Sequence, residues 1–147
     1  MGGTWRSVLR LHPELHPLVL PERTLVQVAQ DLRPAPLPGT PEWLLGTVHF
    51  RGAFLPVFDL ARRFGLSPAR ALRLVVVDPG EDGLVFACAE LPESAWVDVP
   101  RAGGPSSAAP PELLVHSAGL FHTPAGTMLD FDPHAWLRRN STSLRLR

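Results

Sequence analysis

The chain of 147 residues has no tyrosine, lysine or isoleucine, so arginine supplies every one of its 14 basic side chains. That bias reads as the coding composition of a GC-rich genome. Hyperthermophile proteins gain lysine rather than lose it, so the 17 prolines leave thermophily open. A single cysteine, Cys88, excludes an internal disulfide framework and suits a reducing compartment. Formal net charge is zero, which removes the overall field that would hold nucleic acid or an anionic membrane surface. Long apolar runs are missing too. Residues 74–77 and 84–89 are strand-sized, far short of a spanning helix, and His12, Pro13, Glu14 and His16 interrupt any signal-peptide core behind Arg6 and Arg10. The expectation is a cytoplasmic protein with no nucleic-acid partner and no direct membrane insertion.

What is present is an ordinary globular balance, 45% hydrophobic and 19% charged, enough for one domain or two small subdomains sharing a core. Short strand patterns dominate. Residues 8–11, 18–20 and 25–28 are strand candidates, and the four prolines of 32–41 mark a connecting loop. The β-branched run 72–77 turns through Asp78-Pro79-Gly80-Glu81-Asp82-Gly83 into 84–89, a hairpin. Residues 96–99 form a further strand, 101–111 a flexible loop, and 113–131 a last hairpin turning at 123–126. Asp132-Pro133 then opens a terminal helix with Trp136 and Leu137 buried. Residues 1–7 and 140–147 read as flexible termini around a single domain at 8–139. Many short strands and few helices predict an all-β fold, sandwich or barrel.

The densest pattern lies at 38–66. Val48 and Phe50 alternate with Thr47 and His49, Gly52 permits a tight reversal, and Asp59 can cap a helix carrying Leu60 and Phe64 that Gly65 ends. Elsewhere the chemistry is thin. His12 and His16 have helical spacing, but the prolines beside them break a helix and no cysteine pair completes a zinc site. No Gly-x-Ser-x-Gly elbow frames a nucleophile, Gly103-Gly104 leads to no phosphate-binding helix, and Cys88 sits mid-strand as a buried thiol. The expectation is no enzyme activity, no cofactor and no metal.

The order Pro38-Gly39, Trp43, Gly46, alternating strand, Arg51-Gly52, Leu55-Pro56-Val57, Asp59-Leu60, Arg62, Phe64-Gly65-Leu66 resembles the signature of CheW-like domains, with weaker similarity over 9–137. The resemblance implies two small five-stranded β-barrels packed side by side, here dividing near 66–71. It implies a non-enzymatic adaptor that couples a chemoreceptor signalling tip to a CheA-type histidine kinase. One barrel would dock the kinase's own CheW-like domain, and the groove between barrels would hold the receptor's helical hairpin. The turn arginine of that family pairs with a glutamate on an earlier strand, near the partner-facing surface. Arg51 matches the arginine, but Gln27 stands at the glutamate position, where a neutral amide can still accept a hydrogen bond from arginine but cannot give the charge-assisted bidentate pair. The implied interaction residues are Arg51, Phe54, Gln27, Val28 and Val48, with Phe54 expected to be exposed. Residues 86–89 also lack the acid of the family's Val-Asp-x-Val. The stretches 116–122 and 131–135 resemble the branch that controls type IV pili. The competing reading is a regulatory or ligand-binding β-barrel domain of an enzyme system without chemoreceptor partners.

Overall fold

The computed structural model describes residues 3–67, 72–98, 120–123 and 126–140. Its elements are β1 (Thr4–Leu9), β2 (Leu18–Val19), β3 (Val26–Ala29), β4 (Leu44–Phe50), β5 (Ala53–Phe58), α1 (Leu60–Arg63), β6 (Arg73–Val77), β7 (Leu84–Cys88), β8 (Glu93–Val97), β9 (Leu120–Thr123), β10 (Gly126–Asp130) and α2 (Pro133–Asn140). They build two five-stranded sheets. A terminal sheet has the order β8-β1-β2-β10-β9 and a middle sheet the order β3-β6-β7-β5-β4. Pairing is antiparallel except for β2 with β10 and β5 with β7.

Alternation along the strands sets where the core sits. In β6 and β7, Val75, Val77, Leu84, Phe86 and Cys88 face one way and Val76 and Val85 the other. The first set meets Leu9, Leu18, Leu20 and Leu129 of the terminal sheet in the largest apolar cluster, the seam between the sheets. Behind the seam each sheet has a smaller cluster of its own. Ala29 on one edge of the middle sheet and Val48 on the other share a cluster, so that sheet wraps around it. The terminal sheet likewise wraps Val8, Val19, Val97, Phe121 and Met128.

Three expectations need correction. Among the described residues neither sheet closes into a barrel, since the ladders end at β8, β9, β3 and β4. The two halves do not divide near 66–71, because β5 and β6 on either side of that segment belong to one sheet. The chain crosses instead between β2 and β3 and between β7 and β8. Residues 4–7 are not a loose leader. They belong to strand β1, paired residue for residue with β8, because Val8 and Val97 supply a buried face and Trp5 pairs with Trp96 further along the ladder. The expected strand at 113–115 and loop at 101–111 lie outside the described residues, as does 141–147.

Candidate functional site

The signature folds into the β4–β5 hairpin and helix α1. Arg51 (φ 49°) and Gly52 (φ 83°) form its two-residue turn, both left-handed, the geometry whose twist matches a hairpin. Phe50 pairs with Ala53 and His49 with Phe54. Phe54 therefore faces His49 across the ladder rather than Phe50, their rings 4.9 Å apart. Phe50, Ala53 and Leu55 pack toward the interior of the middle sheet, which turns His49 and Phe54 outward. Phe54 is 74% exposed. Arg51 is exposed, its guanidinium 5.4 Å from the Phe50 ring centroid, and it makes no hydrogen bond or ion pair with any described residue.

The roots of the hairpin are built more tightly than its tip. Gly46 (φ 138°) lies against Ala35, which exchanges two backbone hydrogen bonds with Thr47 at 2.8 and 3.0 Å; a Cβ on Gly46 would sit 2.1 Å from the Ala35 carbonyl oxygen. Asp59, 1% exposed, caps α1: its Oδ1 accepts from the Arg62 N–H at 3.4 Å and its Oδ2 lies 3.3 Å from Arg62 Nε. Gly65 (φ 74°) closes the helix, its N–H donating to the Arg62 carbonyl and that of Leu66 to the Ala61 carbonyl, a Schellman pattern. Trp43, 8% exposed, packs on Phe58 and Trp136 beneath the Arg63 guanidinium.

The other expected interaction residues lie on β3 and on β4 of the same sheet. Gln27 and Val28, half-buried, lie on β3, the other edge strand of the curled sheet, and among the described residues no hydrogen bond joins the Gln27 amide to Arg51. Val48 is 3% exposed in the middle sheet's own cluster. Its side chain faces inward because it alternates with the outward His49, so it offers no surface to a partner. His12, 8% exposed, is held by two bonds. Its Nδ1 accepts the Glu14 N–H at 3.0 Å, which leaves Nε2 to donate to the Ser67 carbonyl at 2.7 Å. Burial pushes the Cys88 thiol up to about 12, with the Asp59 charge adding to it, so the thiol stays protonated and inert.

Sequence reasoning missed two features. Trp5 and Trp96, 66% and 54% exposed, stand opposite each other on β1 and β8 with rings edge-to-face at 5.6 Å. Reading residues 1–7 as a flexible terminus hid Trp5. Second, a cleft of about 790 Å³ opens between the Asp78–Gly83 turn and α2, floored by Pro56, Leu84 and Leu137. The turn chemistry was visible in the sequence, but its proximity to α2 was not.

The profile of the CheW-like domain matches residues 8–132, most of the chain. The chain belongs to the CheW-like family. Over its full extent this CheW-like fold superposes on the scaffolding protein TtCheW of Thermoanaerobacter tengcongensis with a TM-score of 0.71, covering 97% of this chain and 98% of that one at 20% identity. A 33-residue stretch is 48% identical to a probable chemotaxis protein CheW of Rhizobium etli, spanning 22% of this chain and 21% of that relative's length. Membership in the CheW-like family points to a non-enzymatic adaptor. No helix among the described residues is long and apolar enough to cross a membrane.

Proposed function

We propose that the protein is a cytoplasmic adaptor that couples a chemoreceptor signalling tip to a CheA-type histidine kinase, through docking alone and without bond chemistry. The observation that carries this reading is the β4–β5 hairpin tip. A half-exposed phenylalanine or an isolated arginine is common on a surface, but here Phe54 and Arg51 project together from a turn whose roots are fixed by Gly46, Asp59 and Trp43. An exposed aromatic beside an arginine is the usual make-up of an anchor in a protein–protein contact. Phe54 would enter an apolar pocket of the kinase's CheW-like domain while Arg51 engages a partner carboxylate, the role its missing internal mate leaves open. Gln27 and Val28, on edge strand β3, serve as secondary contacts. The receptor's helical hairpin occupies the groove between the two sheets.

The test is co-sedimentation of the full chain with a CheA-type kinase and receptor fragments. The expected result is a ternary pellet that Phe54→Ala depletes. Failure of the folded protein to bind any such kinase from its own source would overturn the adaptor reading.

A further inference from the structure

We infer that α2 is a clasp that positions the β4–β5 hairpin against the terminal sheet, and that His134 and Asn140 are its positioning residues. The helix continues directly from β10 through residues 131–132, and this joint is pinned, since the Phe131 N–H donates to the Val19 carbonyl at 2.9 Å. Its contacts nevertheless land on the middle sheet. In its first turn His134 Nε2 lies 2.9 Å from Asp78 Oδ2. The Asp78 carboxylate is itself fixed, because Oδ1 accepts the Leu25 N–H at 3.0 Å and the Asp78 N–H donates to the Leu25 carbonyl at 2.8 Å. At the centre Trp136, fully buried, meets Trp43 and Phe58 edge-to-face at 5.7 and 5.0 Å. At the last turn Arg63 Nη2 donates to Asn140 Oδ1 at 3.2 Å while its guanidinium stacks 4.3 Å over Trp43.

Trp43 stands immediately before β4 and Phe58 ends β5, so the helix grips both roots of the hairpin whose tip carries Arg51 and Phe54. Core coverage by the helix comes from Pro133, Trp136 and the partly buried Leu137. The part-exposed polar contacts at the two ends add little buried area; they fix the direction in which the helix lies, which is what a supporting shell does for a site. A rigid element joined to one sheet at β10, and bonded at its ends to Asp78 just after β6 and to Arg63 of α1 just after β5, transmits a tilt of one sheet to the other.

The experiment reads this geometry within the protein alone, so its failure is separate from failure of the adaptor reading. Spin labels are placed on the exposed positions His49→Cys and Ser94→Cys, one on the hairpin and one on β8; buried Cys88 does not take the label. In the His134→Ala/Asn140→Ala background the distance distribution should broaden while amides of β1, β10, β4 and β5 keep their protection from exchange. His134→Gln, which retains a donor toward Asp78, should preserve the narrow distribution. If the double variant fails to fold, His134→Ala alone is read the same way. A distribution that stays narrow in the double variant would overturn the clasp. So would broadening that comes only with loss of protection across both sheets.

Discussion

Replacing Gly46 by alanine tests how the hairpin is anchored. The new Cβ would meet the Ala35 carbonyl oxygen at 2.1 Å, a backbone atom that cannot rotate away. Residue 46 also has a φ of 138°, a region that costs an L-residue about 1–3 kcal/mol. Relieving the clash means parting Ala35 from Thr47, whose two mutual hydrogen bonds are worth about 1 kcal/mol each net. The sum is about 3–5 kcal/mol, a large share of the roughly 5–15 kcal/mol that holds a typical domain. Gly52→Ala is the control. Gly52 also has a left-handed φ, 83°, but nothing lies within 4 Å of its would-be Cβ, so only the backbone cost of about 1 kcal/mol applies. At about 2–4 °C per kcal/mol for a chain of this size, melting followed by circular dichroism should fall several times further for Gly46→Ala than for Gly52→Ala. Equal shifts for the two variants would refute the reasoning, since they would show that φ alone, and not the approach of Ala35, governs residue 46.

Arg51→Ala should leave stability within about 0.5 kcal/mol, since its one contact is an exposed ring face, yet weaken kinase binding by roughly 2–5 kcal/mol in titration calorimetry. Cys88 should resist a thiol reagent at pH 8 until the protein is unfolded in guanidinium. Its raised thiol pKa contributes stability that is whole below pH 9 and erodes as pH climbs toward about 12, which an alkaline melting series would register. Burial raises the Asp130 carboxyl above its ordinary value and outweighs the opposing pull of Arg6, 3.1 Å away. A raised carboxyl favours the fold while protonated and costs stability once pH rises through its folded value. Asp130→Asn should therefore be less damaging at pH 7 than at pH 3.5, measured by urea unfolding at both.

The local devices were legible because each is a short-range rule. Asp59 and Gly65 bracket α1, Arg51-Gly52 makes a left-handed turn, and Asp132 caps α2 by accepting the N–H groups of His134 and Ala135 at 3.1 Å. The exposure of Phe54 was legible from its place just beyond the Arg51-Gly52 turn. Long-range arrangement was not. Nothing in the order of strands says that β2 and β10, more than a hundred residues apart, lie side by side in parallel. The inward face of Val48 was misjudged because its place in a partner-facing signature outweighed its position in the alternation. That β3 and β4 become the two edge strands of one curled sheet follows from strand order, which no local pattern encodes.

The middle sheet is complete once residue 88 has been made, whereas the terminal sheet draws β1 and β2 from the beginning of the chain and β9 and β10 from near its end. During synthesis the amino-terminal strands must therefore wait, with Leu9, Leu18 and Leu20 uncovered on one side, until the last hairpin emerges to receive β2. Such late, distant pairing closes a long loop and is the slow step of folding for topologies of this kind. The finished middle sheet already presents Val75, Val77, Leu84 and Phe86, the face on which Leu9, Leu18 and Leu20 rest in the native fold, so a docking surface for them exists before the last hairpin arrives.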